Sequence, residues 1–533
     1  MTKKRPNFVV FMSDQHRADY LGCYGHPFVK TPAIDGMAAR GTAFDRFYVS
    51  SPVCMPNRAT FMTGRLPSVH GTRTNGVPLS LQANTFVDLL RAKGYRTSLV
   101  GKSHLLTMKN NAPRWSPDPV PDGLEAPNGE LSEAVRRPGF PDAYEQENED
   151  HWEHDPAHSL RYPFFGFEKV HLCTGHGDRV SGEYVRWLRD NGYDRDKLIG
   201  PENALPSDVQ CPQAWRTAMP EEAYPTNYIR DHSLKVLREL KESDGESPFF
   251  MLVSFPDPHH PFTPPGKYWD MYDPDEVTLP NSFHTRANVD SPAARQRKKR
   301  ESDVINRDVV MSFLPINERE AREAIALTCG MITMIDDAIG AVLGELENLG
   351  FADDTVVMFT ADHGDFLGDH GMMLKGPMHM SSIVRVPFVW ADPESRGSER
   401  CGAVAGTIDI ASTVLARAGL AGYNGIQGRS LLPEIATGHD HGPGYHLIEE
   451  ESQNPFLTIK APTRIRSLIT DEWRLSIYQK EYAELYNLKN DPDELVNHWD
   501  DPDSADVRAQ LLTELVRATI LGMDPSPLPS HTA

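Results

Sequence analysis

The side chains best able to do chemistry gather in a few short stretches of a 533-residue chain. The first is Ser51-Pro-Val-Cys54-Met-Pro56-Asn-Arg58-Ala-Thr-Phe-Met-Thr-Gly64-Arg65. It reads as a strand end, a turn and the start of a helix. Pro56 suits a first helical turn, and the apolar spacing becomes helical from Ala59. A side chain just before that helix meets free N–H groups and the positive end of the helix dipole. Arg58 adds a full positive charge with bidentate reach for an oxyanion. A cysteine at position 54 then has a depressed pKa. The blander reading is a buried free thiol beside a structural arginine, a common fate for cysteine.

Four further clusters each follow an apolar run. Asn7-Phe-Val-Val-Phe-Met12 ends in Ser13-Asp14-Gln15-His16. Arg96 to Val100 ends in Gly101-Lys102-Ser103-His104. Pro248 to Phe255 ends in Pro256-Asp-Pro258-His259-His260-Pro261. Thr355-Val-Val-Met-Phe-Thr360 ends in Ala361-Asp362-His363-Gly364-Asp365, and Lys375 follows in the same loop. Such runs read as buried parallel strands, and ligands in open α/β sheets bind at their carboxyl ends. The clusters therefore converge on one edge of a sheet. Asp14, Gln15, Asp362 and His363 would offer three oxygens and one nitrogen to a divalent cation. Oxygen donors suit Ca²⁺, Mg²⁺ or Mn²⁺, and the imidazole tilts toward Mn²⁺ or Zn²⁺. His259, held rigid by prolines, could act as a general acid or an anion ligand. Singly, each cluster reads as a capping aspartate, a loop lysine or a surface histidine; their shared position favours a common site.

In their order, these motifs resemble the type I, formylglycine-dependent sulfatases of the alkaline-phosphatase superfamily. The resemblance rests on Asp14-Gln15, Cys54-Met-Pro-Asn-Arg58, Gly101-Lys-Ser-His104, Pro258-His-His-Pro-Phe262, Ala361-Asp-His-Gly-Asp365 and Leu374-Lys-Gly376. Glu484-Leu-Tyr-Asn-Leu488 with Asp491-Pro-Asp-Glu494 resembles the family's C-terminal signature. In that family the cysteine is oxidised to formylglycine, whose hydrated aldehyde is the nucleophile. By the resemblance, Cys54 is so modified and joins Asp14, Gln15, Asp362 and His363 on one divalent metal. Ca²⁺ is the first choice, with Mg²⁺ or Mn²⁺ as alternatives. Arg58 and Lys102 would hold the hydrate, His104 would help release sulfate, and His259 and Lys375 would bind the ester and assist the leaving oxygen. The implied activity is sulfuric ester hydrolysis of a small-molecule or saccharide sulfate ester. The implied partner is a formylglycine-generating or anaerobic sulfatase-maturating enzyme. Gln15 and His363 depart from the Asp-Asp and Asp-Asn pairs of many sulfatases and resemble choline sulfatases and phosphonate monoester hydrolases. Phosphonate monoester or phosphodiester hydrolysis is therefore the alternative activity, while Lys102 and His104 lean toward sulfatases. A silent anion- or metal-binding protein with unmodified Cys54 is a third reading.

The elements that must position these groups alternate between strands and helices, giving an α/β fold. The expected form is alkaline-phosphatase-like: a mixed, mostly parallel sheet between helices, with a smaller C-terminal α+β subdomain. Helices are expected over Thr31–Arg40, Leu79–Lys93 with its regular part from Asn84-Thr85, Tyr228–Leu240, Thr407–Gly419 and Ala505–Leu521. The longest, Asn317–Leu349, opens on an Asn317/Glu320 capping box and carries one apolar face through Ile325, Cys329, Ile332, Ile335, Ile339, Val342 and Leu346. Length alone allows roughly three or four domains. The pattern instead suggests a catalytic domain over 1–445 and a subdomain over 446–533. Residues 105–226 and 263–316 lack periodicity and read as insertions for substrate recognition. His151, His154, His158, His171 and His176 there, and His439, His441 and His446 later, read as surface histidines.

Composition narrows the function classes. A net charge of −21 disfavours nucleic acid and anionic membrane as partners. The basic run Arg295–Arg300 lacks interleaved aromatics and reads as a solvated loop. Only Phe8 to Met12 is apolar near the start, too short for a signal-peptide core or a membrane span. The six cysteines are scattered, as in a reducing compartment. The expectation is a cytoplasmic enzyme, with assembly into a homo-oligomer left open.

Overall fold

The computed structural model describes residues 5–109, 142–243, 247–285, 298, 301, 307, 312–376, 378–394, 399–452, 463–479 and 482–525. Apart from Lys298, the basic run at 295–300 lies outside the described residues, as does the chain end from 526.

Fifteen strands are described. They are β1 (Asn7–Ser13), β2 (Thr42–Tyr48), β3 (Arg96–Lys102), β4 (Lys169–Thr174), β5 (Ser181–Gly182), β6 (Phe249–Ser254), β7 (Leu314–Pro315) and β8 (Thr355–Ala361). There follow β9 (Met372–Met373), β10 (Phe388–Ala391), β11 (Arg400–Gly406), β12 (Tyr445–Ser452), β13 (Thr463–Thr470), β14 (Trp473–Tyr478) and β15 (Ala483–Asn487). Nine of them form one sheet in the order β11-β2-β10-β8-β1-β6-β3-β4-β5. Its centre, β8-β1-β6-β3-β4, is parallel. Strand β10 runs antiparallel to both neighbours, and β5 is antiparallel to β4.

Alternation along the central strands divides the core in two. Val9, Phe11, Val100, Met251, Val253 and Phe359 face one hydrophobic layer; Phe8, Val10, Met12, Leu99, Leu252 and Met358 face the other. The first layer is covered by helices that include Pro225–Ser243 and Glu318–Asn348, the second by Cys54–Thr63, Phe86–Ala92 and Asp409–Arg417. The Glu318–Asn348 helix is capped as expected by Asn317 and Glu320, each side chain bonding the other's backbone N–H. It is long and apolar enough to cross a membrane, yet most of it is buried against the sheet.

A second, antiparallel sheet of order β12-β13-β14-β15 begins at Tyr445 and packs with the helix Ala505–Leu521 around Leu447, Leu468, Leu475, Leu485, Leu511 and Leu515. The fold is thus a large mixed sheet between helices plus a smaller C-terminal sheet.

Three expectations need correction. The 105–226 stretch is not wholly irregular: β4 and β5 complete the edge of the large sheet, and Glu183–Asp190 is a helix. Of the helix expected over Leu79–Lys93, only the regular part expected from Asn84-Thr85 forms, as Phe86–Ala92; the Thr85/Asp88 capping box fixes its start, and the lead-in from Leu79 is not helical. His446 is not exposed; it is buried on β12, with Nε2 at 3.1 Å from the Val49 carbonyl.

Candidate active site

Strand register brings the polar clusters together. Ser13 pairs with Ala361, Met12 with Ser254, and Gly101 with Ser254, so the strands end on nearly one line. The chain stays tied just beyond it: Asp14 N–H donates to the Asp257 carbonyl at 3.1 Å, and Asp362 N–H to the Ser13 carbonyl at 3.2 Å. Gly101 has φ +107°, and a Cβ there would lie 1.9 Å from the Ser254 carbonyl oxygen. Only glycine lets β3 approach β6 this closely one residue before Lys102. Gln15 and His104 hold positive φ of 62° and 56°, strained values that aim side chains which regular extension would not.

The two carboxylates are each split between two roles. Asp362 Oδ2 accepts from Arg58 Nε at 2.8 Å, and Asp14 Oδ2 accepts from Arg58 Nη2 at 3.3 Å and from Lys102 Nζ. Their Oδ1 atoms face the other way. Asp14 Oδ1 lies 3.9 Å from Cys54 Sγ and 3.5 Å from His363 Nε2, and Asp362 Oδ1 lies 3.6 Å from the same nitrogen. Cys54 Sγ is 3.1 Å from His363 Nε2 and accepts from Lys375 Nζ at 3.0 Å. Lys375 Nζ also reaches His259 Nε2 and His363 Nε2, each at 2.8 Å, and Gln15 Oε1 at 3.4 Å. His363 and His259 hold their Nδ1 protons on the carbonyls of Gly364 (2.9 Å) and His260 (2.6 Å), so both present Nε2 to the centre.

Two carboxylates thus face three cationic side chains in a buried cleft. Burial and Asp14 push the Cys54 thiol up, but Lys375 and His363 outweigh them and leave its pKa below the ordinary value. Burial opposes ionisation of Asp14 too; Lys102, His259 and Arg58 overcome it and hold the carboxyl well below the usual range. Burial drives His104 and His259 well below the ordinary imidazole pKa, with Lys102 and Arg58 adding to it at His104 and His176 and Lys375 at His259.

All ten residues expected from the sequence, Asp14, Gln15, Cys54, Arg58, Lys102, His104, His259, Asp362, His363 and Lys375, lie around this centre. His104 is the loosest member: its Nδ1 is buried without a partner among the described residues. The structure adds residues that sequence reasoning missed. His176, expected at the surface, stacks on His259 with ring centroids 3.5 Å apart and sets Nε2 against Lys102 Nζ. His260 Nδ1 lies 3.2 Å from Gln15 Nε2, which also donates to Asp365 Oδ2. His176 carries the same signal as the other sites, a glycine-flanked polar residue after a strand. That signal was hidden because β4, Lys-Val-His-Leu-Cys-Thr, is short and contains a histidine.

The donor set fits a divalent cation. Ligand atoms of Asp14, Cys54, Asp362 and His363 all lie within 4.8 Å of one another, and all four residues are buried. The carboxylate oxygens turned away from that point are already bonded to Arg58 and Lys102, an outer shell that orients ligands.

Comparison with known proteins agrees with this geometry. The sulfatase family model matches residues 6–420, and the model described as N-sulphoglucosamine sulphohydrolase, C-terminal, matches residues 368–520. An arylsulfatase of Clostridium perfringens is 28% identical, over 92% of this chain and 90% of its own length. The multifunctional alkaline phosphatase superfamily protein PehA of Trinickia caryophylli is also 28% identical, over 94% and 92%. In fold, the chain is similar to the phosphonate monoester hydrolase of Agrobacterium radiobacter, with TM-score 0.73 at 23% identity, covering 98% of this chain and 97% of that one. With its strand-end cluster of carboxylates and imidazoles beside Cys54 and Lys375, the chain belongs to the sulfatase family and is of the sulfuric ester hydrolase class.

Proposed function

We propose that this protein hydrolyses sulfate monoesters to an alcohol and inorganic sulfate, with a formylglycine derived from Cys54 as nucleophile and one divalent metal held by Asp14, Gln15, Asp362, His363 and residue 54. The carrying observation is Cys54 Sγ within 3.9 Å of Asp14 Oδ1, His363 Nε2 and Lys375 Nζ together. Ca²⁺ is the ion we favour, on the oxygen-rich donor set. When bound, it supplies Lewis-acid charge next to residue 54.

The chain's own groups account for the rest. Arg58 and Lys102 neutralise the outer carboxylate oxygens and keep the cleft cationic despite the acidic chain, which suits an anionic ester. Lys375 Nζ, beside residue 54 and His259 Nε2, places positive charge and a proton donor where the ester oxygen departs. His259, with Nε2 free of its own backbone bond and 2.8 Å from Lys375 Nζ, shares that proton with Lys375. His104, buried with Nδ1 free of any partner among the described residues, can take a proton when sulfate is released. The substrate class is a small-molecule or saccharide sulfate ester, and the maturation step requires a formylglycine-generating or anaerobic maturating enzyme. We also propose a cytoplasmic location, on six unpaired cysteines of which five are buried.

Phosphonate monoester or phosphodiester hydrolysis is the second reading, favoured by Gln15 and His363 at the centre. Parallel assays with aryl sulfate and phenyl phosphonate esters separate the two. The expected result is a higher kcat/KM for the sulfate, and a dominant phosphonate rate reverses the order. Mass spectrometry of the tryptic peptide Phe47–Arg58 tests the nucleophile. Exchange of SH₂ for O makes the peptide lighter, whereas an unmodified mass in active enzyme overturns the proposal.

A further inference from the structure

The smaller sheet carries a buried charged network that the chemistry above does not use. Arg474 on β14 is fully buried and donates from Nε to Glu494 and from Nη1 to Glu484 (2.8 Å) and Ser476 Oγ (2.6 Å). Ser476 Oγ meets Ser467 Oγ at 2.6 Å, and Ser467 Oγ meets His379 Nδ1 at 2.7 Å. Glu494 is buried, and it sits at φ +53°, a left-handed value unfavourable for a glutamate. Its second oxygen leaves the small sheet altogether: Oε2 accepts from the backbone N–H of Ser381 at 2.6 Å.

That bond reaches toward the active site. Ser381 opens the short helix Ser381–Val384, whose own preceding residue, Met380, offers no side-chain cap. Glu494 supplies the missing acceptor from the other sheet. The helix then supports two catalytic segments. The Ile383 carbonyl accepts from Gly364 N–H at 2.7 Å, and the Gly364 carbonyl holds His363 Nδ1. The Val384 carbonyl accepts from Val49 N–H at 2.9 Å, on the segment that leads to Cys54. Gly364 has no room to shift, since a Cβ there would lie 2.0 Å from the Ser382 carbonyl oxygen. A strained glutamate, gripped by a buried arginine and lying outside its own sheet's ladder, is explained by what its other oxygen positions.

We infer that Glu494, oriented by Arg474, is a positioning residue for the reaction: through the Ser381–Val384 helix it sets the ring of His363 and the approach of Cys54. The inference rests on the metal-dependent reading above. Its prediction is that metal affinity and turnover both depend on a carboxylate remote from the metal, by the roughly 10- to 100-fold typical of outer-shell orienting groups.

The test compares the full-length wild type with Glu494→Ala and Glu494→Gln, each assayed well below its own melting temperature. Ca²⁺ affinity is read by calorimetry, and kcat and KM separately with an aryl sulfate. Glu494→Ala is expected to lose at least 10-fold in both Ca²⁺ affinity and kcat with little change in KM. In Glu494→Gln, the amide oxygen introduced at position 494 keeps an acceptor for Ser381, and Arg474 keeps the Glu484 carboxylate as its charge partner. That variant should recover to within a few-fold of wild type. A folded Glu494→Ala variant with wild-type Ca²⁺ affinity and kcat overturns the inference. So does a Glu494→Gln variant no better than Glu494→Ala. Failure of the wild type itself to bind a divalent cation sinks the metal-dependent reading instead, and the two failures are thereby told apart.

Discussion

At the scale of single residues, the site works by dividing each group between two neighbours. Asp14 and Asp362 spend one oxygen on Arg58 and keep the other for the centre, while His363 and His259 anchor Nδ1 on a carbonyl and free Nε2. Cys54→Ala removes the proposed nucleophile and should lower kcat by at least about 10³-fold without unfolding the protein; steady-state kinetics with an aryl sulfate beside a thermal melt checks both. His176→Ala should lower kcat by about 10-fold. His176 flanks His259 on one side and Lys102 on the other, so its ring fixes two groups at once. An unchanged kcat would make His176 mere wall. Lys375→Ala should cost about 10²- to 10⁴-fold, more with poor leaving groups than with good ones, because the proposed mechanism puts its ammonium where the ester oxygen departs. A leaving-group series measures this, and a loss equal across the series would place Lys375 elsewhere in the reaction.

At the scale of elements, positions were legible where local chemistry decides them. The Asn317/Glu320 capping box and the apolar face from Ile325 to Leu346 mark the longest helix, and the structure ends it within a residue of the expected limits. The final helix spans Ala505–Leu521, as its pattern suggests. Strand β4 was illegible because a six-residue strand has too few positions to show alternation, and one of them is His171. His446 looked exposed because glycines surround it, yet β12 carries it into the body of the fold. Gly101 is the element-scale prediction. Gly101→Ala places a Cβ against the Ser254 carbonyl at a φ alanine avoids, so β3 and β6 must separate. Loss of several degrees in Tm, together with a drop in kcat as Lys102 moves, is the expected outcome. Thermal melts and kinetics on the same sample test it.

At the scale of the whole molecule, two sheets hold one site. Central strands of the larger sheet deliver the reactive groups, and the smaller sheet grips their loops through His446, Glu449 and Glu494. Removing the proposed divalent ion would leave Asp14 and Asp362 facing each other with less compensation, so chelation should lower Tm and abolish hydrolysis. Calcium should restore both, as scanning calorimetry with added chelator would record. The smaller sheet also carries a pH-dependent weakness. Burial pushes Glu450 up from an ordinary 4.5 to about 8, with Arg466 opposing and Glu451 adding to the shift. An acid whose folded pKa is raised is stabilising while protonated, and that contribution fades as pH climbs from about 4.5 to about 8. Glu450→Gln should therefore raise Tm by about 1–3 °C at about pH 9 and leave it nearly unchanged at about pH 5. Equal effects at both pH values would mean the group does not ionise across that range.

The identity of the reactive groups was determined by the sequence itself. Asp14 with Gln15, and Asp362 with His363, each follow an apolar run that reads as a buried strand, and strand ends in such sheets are where ligands bind; Cys54 with Arg58 opens the helix that follows β2. Which other side chains join them was decided only by tertiary structure. His176 reaches Lys102 because β4 pairs with β3 in one register, and Glu494 reaches Ser381 because a second sheet packs beneath the first. Local pattern records what a residue can do with its near neighbours, but the partner it meets across 74 or 113 positions of chain is set by how the layers pack.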